Sequence, residues 1–220
     1  MLAGPQACAA ASTGAKQPVT LRTMSSPRSP DPAAQSFLAR RRSVPARLLR
    51  EPGPGPEQQA WLLRHALRVP DHGGLAPWRV ISLEGAAKAR FGEQLAAQAI
   101  ARDPQLSVEK REKERLRYTH APWVLVVVAS IDERHPRIPA QEQLLSAGCV
   151  AHSLLLGAQA LGFGAQWLTG WAAYDSWTAA LLHLDRDERV IGFVHIGTCN
   201  EEPAERHRPD VTAKVSAWTA

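Results

Sequence analysis

Apolar positions along the chain follow two periods. Spacings of three and four residues predict helices over 57–67, 86–101, 107–118, 141–161 and 174–182, because such residues share one helical face. In the first of these, Trp61, Leu62, His65 and Ala66 mark the apolar face, Pro56 suits the first helical position and Pro70 lies beyond the end. A shorter helix is predicted over 37–42, with Ser43 at the turn after it. Pro52-Gly53-Pro54-Gly55-Pro56 then forms a stiff, helix-breaking linker. Alternation over 78–83 predicts a strand. The almost unbroken apolar, Val-rich run 123–129 predicts a central strand buried on both faces. Further strands fall at 165–169 and 189–198. Four short strands among long helices, without regular βα alternation, indicate an α+β fold.

The window Leu144–Ala165 approaches membrane-spanning length. Ser146, His152, Ser153, Gln159 and several glycines interrupt it, so it is read as a buried helix of a water-soluble core, not as a span. Gly162 is placed to close that helix in the left-handed conformation. Residues 1–35 are rich in Ala, Ser, Thr and Pro without apolar periodicity. They are expected to be a disordered or processed tail, with a transit peptide or a start at Met24 as alternatives. One domain is expected over 36–220.

Composition narrows the function. The 220 residues carry 26 Lys+Arg against 21 Asp+Glu, a surplus that could suit nucleic acid. However, basic residues alternate with acids, as in Glu109-Lys110-Arg111-Glu112-Lys113-Glu114-Arg115, which reads as a solvated helix face. With no basic stripe interleaved with aromatics, no nucleic-acid partner is expected. Three scattered cysteines (Cys8, Cys149, Cys199) give no disulfide framework and no zinc pair, so a cytoplasmic location is expected. Cys149 reads as a small buried residue. The histidines lack metal spacing, and no metal is expected.

Three segments suit a ligand. Arg40-Arg41-Arg42-Ser43 offers forked guanidinium donors and a hydroxyl to a phosphate, although arginines at a helix end also complement the macrodipole. Arg68, with Pro70-Asp71-His72 and Ala76-Pro77-Trp78, either holds a polar ring edge or makes a structural turn. Gly162-Phe163-Gly164-Ala165-Gln166-Trp167 either admits a flat ligand or simply links a capped helix to a strand.

In order along the chain come Arg41-Arg42-Ser43, Val69-Pro70-Asp71-His72, Pro77-Trp78, Ser146-Ala147-Gly148-Cys149, Gly162-Phe163-Gly164, Trp167 and Gly192-Phe193-Val194-His195-Ile196-Gly197-Thr198. This series resembles the FMN-dependent nitroreductase family, and its Pro-Asp-His motif is similar to the YdjA-type NAD(P)H nitroreductases. The resemblance spans residues 36–215. It implies a three-layer α+β sandwich with a mainly antiparallel central sheet. It also implies a homodimer built on the long apolar helix, with FMN at the subunit interface. Carried over by position, Arg41, Arg42 and Ser43 would hold the FMN phosphate and ribityl chain. Arg68 and His72 would contact the flavin from the other subunit, and Trp167, Leu168 and Thr169 would line it. Gly157, Ala158, Gln159, Ala160, Leu161 and Gly162 match the stretch assigned to NAD(P).

The implied activity is hydride transfer from NAD(P)H through FMN to a nitro, quinone or related small acceptor, with no catalytic side chain. A flavin-binding or redox-sensing module without turnover is the alternative, and a structural helper a third. Three positions depart from the pattern. Leu168 stands where the family's nearer members carry Arg, Ala76 where Gln is usual, and Pro45 where some carry a Lys facing the flavin. The departures bear on substrate choice.

Overall fold

The computed structural model describes residues 29–219. The expected tail lies outside the described residues as far as residue 28. Ten regular elements follow: α1 (Pro32–Ala39), α2 (Pro56–Ala66), β1 (Trp78–Leu83), α3 (Gly85–Arg102), α4 (Val108–Leu116), β2 (Trp123–Ser130), α5 (Ala140–Ala160), β3 (Gly164–Leu168), α6 (Ser176–Leu181) and β4 (Glu188–Gly197).

The four strands make one wholly antiparallel sheet in the order β1-β2-β4-β3. In β2 every residue from Trp123 to Ala129 is at most 2% exposed, as its unbroken apolar run requires. Alternation sorts its side chains between two cores. Val124, Val126 and Val128 pack with Phe91, Leu95, Tyr118 and Phe193 beneath α3 and α4. Trp123, Leu125 and Val127 pack with Leu62, Val150, Leu154 and Ala158 of α2 and α5. Helices therefore clothe both faces of the sheet, in three layers.

Side-chain caps set several boundaries that the apolar period places differently. The first helix runs over 32–39, not 37–42, because the Asp31 carboxylate accepts the N–H groups of Ala33 and Ala34, a cap worth about 1 kcal/mol. Arg40, Arg41 and Arg42 therefore follow the helix. Asp175 caps α6 through Thr178 N–H, starting it at Ser176, while Trp171–Tyr174 form a separate 3₁₀ turn. In α2 only Leu62 and Ala66 of the expected apolar face are buried. Trp61 is 40% exposed and stacks on His65 at 4.3 Å, so this half of the expected face looks outward.

α5 follows its expectation closely, over 140–160. Gly162 has φ 83°. Its N–H reaches Gln159 O at 3.0 Å, and Phe163 N–H reaches Ala158 O at 2.9 Å, a paired closure that satisfies orphan carbonyls. The helix is not buried all round, however. Ser146, Ala147, Val150, Ala151, Leu154 and Ala158 face the sheet, whereas Leu145 is 60% exposed. Cys149 is half-buried, not enclosed.

A β-bulge positions Trp167. The β2–β4 register slips between Val127 and Val128, which pair with Gly192 and Val190 and leave Ile191 without a partner. The Trp167 indole N–H donates to the Ile191 carbonyl at 3.2 Å. A Cβ on residue 192 would collide with the indole nitrogen and lie 2.8 Å from the Leu168 carbonyl oxygen. Gly192→Ala should therefore destabilise the protein by about 1–3 kcal/mol, the usual cost of overpacking, and Trp167→Ala in the same chain should recover only the part due to the indole, since the Leu168 carbonyl contact remains. Thermal melts of the two variants and the double variant measure the coupling.

Candidate functional site

A cavity of about 600 Å³ opens at the β3 edge of the sheet, lined by the end of α1, the segment after it, the last turns of α5 and residues 202–205. Its basic wall carries Arg40 and Arg42, and its apolar wall includes Phe37, Val44, Leu155 and Phe163. One main-chain bond and one side-chain bond fix the basic segment: Val44 N–H donates to Ala165 O at 2.9 Å, and Ala46 N–H to the side-chain Oε1 of Gln166 at 2.6 Å. Gly164 lets the segment lie close, because a Cβ there would come within 2.9 Å of Leu49 and 3.0 Å of Val44. Gln159 Nε2 donates to Phe37 O at 2.8 Å, tying α5 to α1.

Arg42 is the better-placed of the two central arginines. Its Nη1 donates to Ala39 O and Arg41 O, each at 2.9 Å. Its Nη2 forms an ion pair with Glu205. The carbonyl bonds cap the end of α1 and aim the guanidinium at the cavity. Arg41 is not among the lining residues, and Ser43 lies between Arg42 and the β3-bound Val44.

The other sequence-predicted residues divide into two places. Trp167, Leu168 and Thr169 lie further along or beyond β3, whose first residues Gly164 and Ala165 line the cavity. Of residues 157–162, only Gln159 lines it, and Ala158 is fully buried in the core. Arg68 and His72 stand elsewhere. His72 Nδ1 meets Glu142 Oε2 at 2.6 Å, near the start of α5. Gln159 follows 17 residues later, a separation of about 26 Å along the helix axis. A single chain thus does not gather both sets around one small ligand.

The Pro-Asp-His loop is firmly built. Asp71 Oδ2 accepts Ala76 N–H at 2.7 Å, supporting Ala76 at φ 50°. Ser146 Oγ donates to Pro70 O at 2.8 Å and accepts from Trp78 Nε1 at 3.1 Å. Loop, strand and helix are joined through that one hydroxyl. A second cavity of about 360 Å³ lies beside them, walled by Leu63, Leu67, Trp78, Val80 and Leu125 with Arg79 and Ser82.

Sequence reasoning missed Phe37, Glu202 and Glu205 as cavity residues. Arg40 sits in the arginine run and was legible there. Glu205 is brought to Arg42 from 163 positions away, without any local pattern. The most perturbed groups lie outside the cavity. Arg79 hydrogen-bonds Glu188 at 2.6 and 2.8 Å and lowers its carboxyl to about 2. Burial, aided by the positive charges of Arg117, His120 and Lys88, lowers His195 to about 4. Among the described residues, no group of three or more His, Cys, Asp or Glu is arranged to hold a metal. No helix among them is long and apolar enough to cross a membrane.

An antiparallel sheet between helical layers, with a cavity at one edge lined by two arginines and two glutamates, defines an α+β sandwich. Residues 38–198 match the nitroreductase family model, and the chain belongs to the nitroreductase family of oxidoreductases. YdjA of Escherichia coli K12, provisionally named an NAD(P)H nitroreductase, is 33% identical over 166 residues, covering 75% of this chain and 87% of that protein. A nitroreductase-like family protein from Bacillus cereus superposes with a TM-score of 0.72 at 22% identity, over 90% of this chain and 100% of that one. A provisionally named nitroreductase from Desulfovibrio desulfuricans, solved in complex with FMN, gives 0.65 at 19% identity, over 87% and 99%.

Proposed function

We propose that the protein is an FMN-dependent NAD(P)H oxidoreductase that reduces a nitro, quinone or related small acceptor. Its family membership supports the reaction class. The observation that carries the cofactor assignment is Arg42, held by two carbonyls and aimed into a cavity with apolar walls. A flavin mononucleotide needs that combination: charge-assisted donors for a phosphate and an apolar surround for a flat ring system. FMN held there would supply two-electron redox chemistry between NAD(P)H and the acceptor.

The chain's own groups bind, orient and shield. Arg42 anchors the phosphate, and Arg41 and Ser43 flank it along the chain, outside the cavity lining. Gln159 holds α1 against α5, and Trp167, Leu168 and Thr169 flank the ring. Of the stretch 157–162, Gln159 is the residue best placed to meet a nicotinamide nucleotide.

The working unit in this reading is a homodimer in the cytoplasm. The outward face of α5 carries Leu144, Leu145, Gly148, Cys149 and Leu156 at helical spacing, all exposed or half-buried. A two-fold axis perpendicular to that face would run the paired helices antiparallel. It would bring the Arg68 and His72 end of one protomer alongside the Arg42 end of the other, closing the gap that one chain leaves open.

An absorption spectrum of the purified protein, with chromatography of cofactor released on denaturation, tests the assignment. We expect a flavin band, FMN near one per chain, and bleaching of the band by NADH or NADPH. A colourless protein that takes up no added FMN would overturn it. A flavin band that neither nucleotide bleaches would favour the redox-sensing module.

A further inference from the structure

Arg42 is already claimed by a carboxylate of its own chain. Residues 198–219 run on from β4 without a helix or strand, and 202–205 form one side of the cavity. Glu205 Oε2 pairs with Arg42 Nη2, the face of the guanidinium not used by the carbonyls of Ala39 and Arg41. Glu205 Oε1 accepts Arg206 N–H at 2.9 Å and lies 3.5 Å from Arg208 Nε. One carboxylate thus fastens the segment 202–208 to the side of the cavity that 202–205 form, using the donor a phosphate would need.

On the reading of Arg42 as a phosphate anchor, we infer that Glu205 is an internal competitor for that site and that 202–208 is an anion-released strap. A phosphate monoester and the Glu205 carboxylate cannot both take the free edge of one guanidinium. Loading the phosphate and freeing the strap are then a single exchange. Glu205 is 57% exposed and Arg42 22%, so the pair is partly hydrated and its displacement costs little. That is what reversible exchange requires, whereas a dry pair would lock the cavity.

Flavin-stripped full-length protein and its Glu205→Gln variant are titrated with FMN and with riboflavin, which lacks the phosphate. FMN should bind Glu205→Gln roughly three- to tenfold more tightly than wild type, the scale of a partly exposed ion pair, and riboflavin should bind both alike. Glu201→Gln, altering an exposed carboxylate of the same stretch that lies outside the cavity lining, serves as the control and should leave FMN affinity near wild type. Inorganic phosphate should speed tryptic cleavage between Arg206 and His207 in wild type and have little effect on Glu205→Gln, whose strap is already loose.

Unchanged or weaker FMN binding by Glu205→Gln, or equal tightening toward riboflavin, would overturn the competitor. If wild type binds no FMN, the cofactor assignment fails. The strap is then judged on phosphate and trypsin alone, and phosphate-independent cleavage would overturn it.

Discussion

Between pH 7 and pH 4.5 the wild-type protein should lose roughly 2–3 kcal/mol of stability that a His195→Leu variant keeps. His195 lies in β4, fully buried, stacked on Tyr118 at 5.8 Å between centroids. Neither ring nitrogen, nor the Tyr118 hydroxyl, has a hydrogen-bond partner among the described residues. Removal from water, reinforced by Arg117, His120 and Lys88, lowers the imidazole from an ordinary 6.5 to about 4. The unfolded chain therefore binds a proton, from pH 6.5 downward, that the folded chain refuses. Stability is full above pH 6.5 and falls by about 1.4 kcal/mol per pH unit until the folded imidazole titrates.

Leucine fills comparable space and removes both unpaired nitrogens, so stability at pH 7 should hold or rise. Denaturant unfolding at a series of pH values reads the difference, and parallel slopes for the two proteins would refute it. His120, lowered by partial burial and Arg50, adds a slope of the same sign in both proteins. Glu188, at about 2, acts below this window, losing its contribution as pH falls under 4.5.

Arg42→Ala should weaken FMN binding ten- to a hundredfold, matching the 1.5–3 kcal/mol of a hydrogen bond to a charged group, and should leave riboflavin binding nearly untouched. Arg41→Ala, at a position outside the cavity lining, should change FMN affinity by less than about threefold. The ratio of FMN to riboflavin affinity separates loss of an anion contact from general loosening where Arg42 caps α1. Equal losses for both flavins would assign Arg42 to the fold alone. The same ratio in Arg41→Ala decides which of two adjacent arginines carries the contact.

The core was written plainly in the chain because burial imposes period. The run 123–129 could only be a strand covered on both faces, and Gly162 could only close the helix before it. Where polar side chains compete with period, reading by apolar spacing falls short. Asp31 and Asp175 reset the starts of α1 and α6 through single carboxylates, and Trp61 leaves the core to stack on His65. The candidate site was partly legible. The arginine run lies in one stretch, but its positions become unequal only when hydrogen bonds to β3 orient Arg42 inward. Glu205 had no local mark, since its meaning comes from a contact across most of the sequence. Arg68 and His72 were legible as a loop, yet their distance from Arg42 depends on the length of α5.

Trp167 and Gly192 form a lock whose history should show in the family's descent. A large indole can lie over the bulge only where the neighbouring strand offers no side chain, so neither position is free to drift alone. A lineage that acquires even a methyl group at 192 must first shrink the residue at 167, and one that restores the tryptophan must first return to glycine. Aligned relatives should therefore change these two columns together, with glycine at 192 the permissive ancestor of every tryptophan at 167.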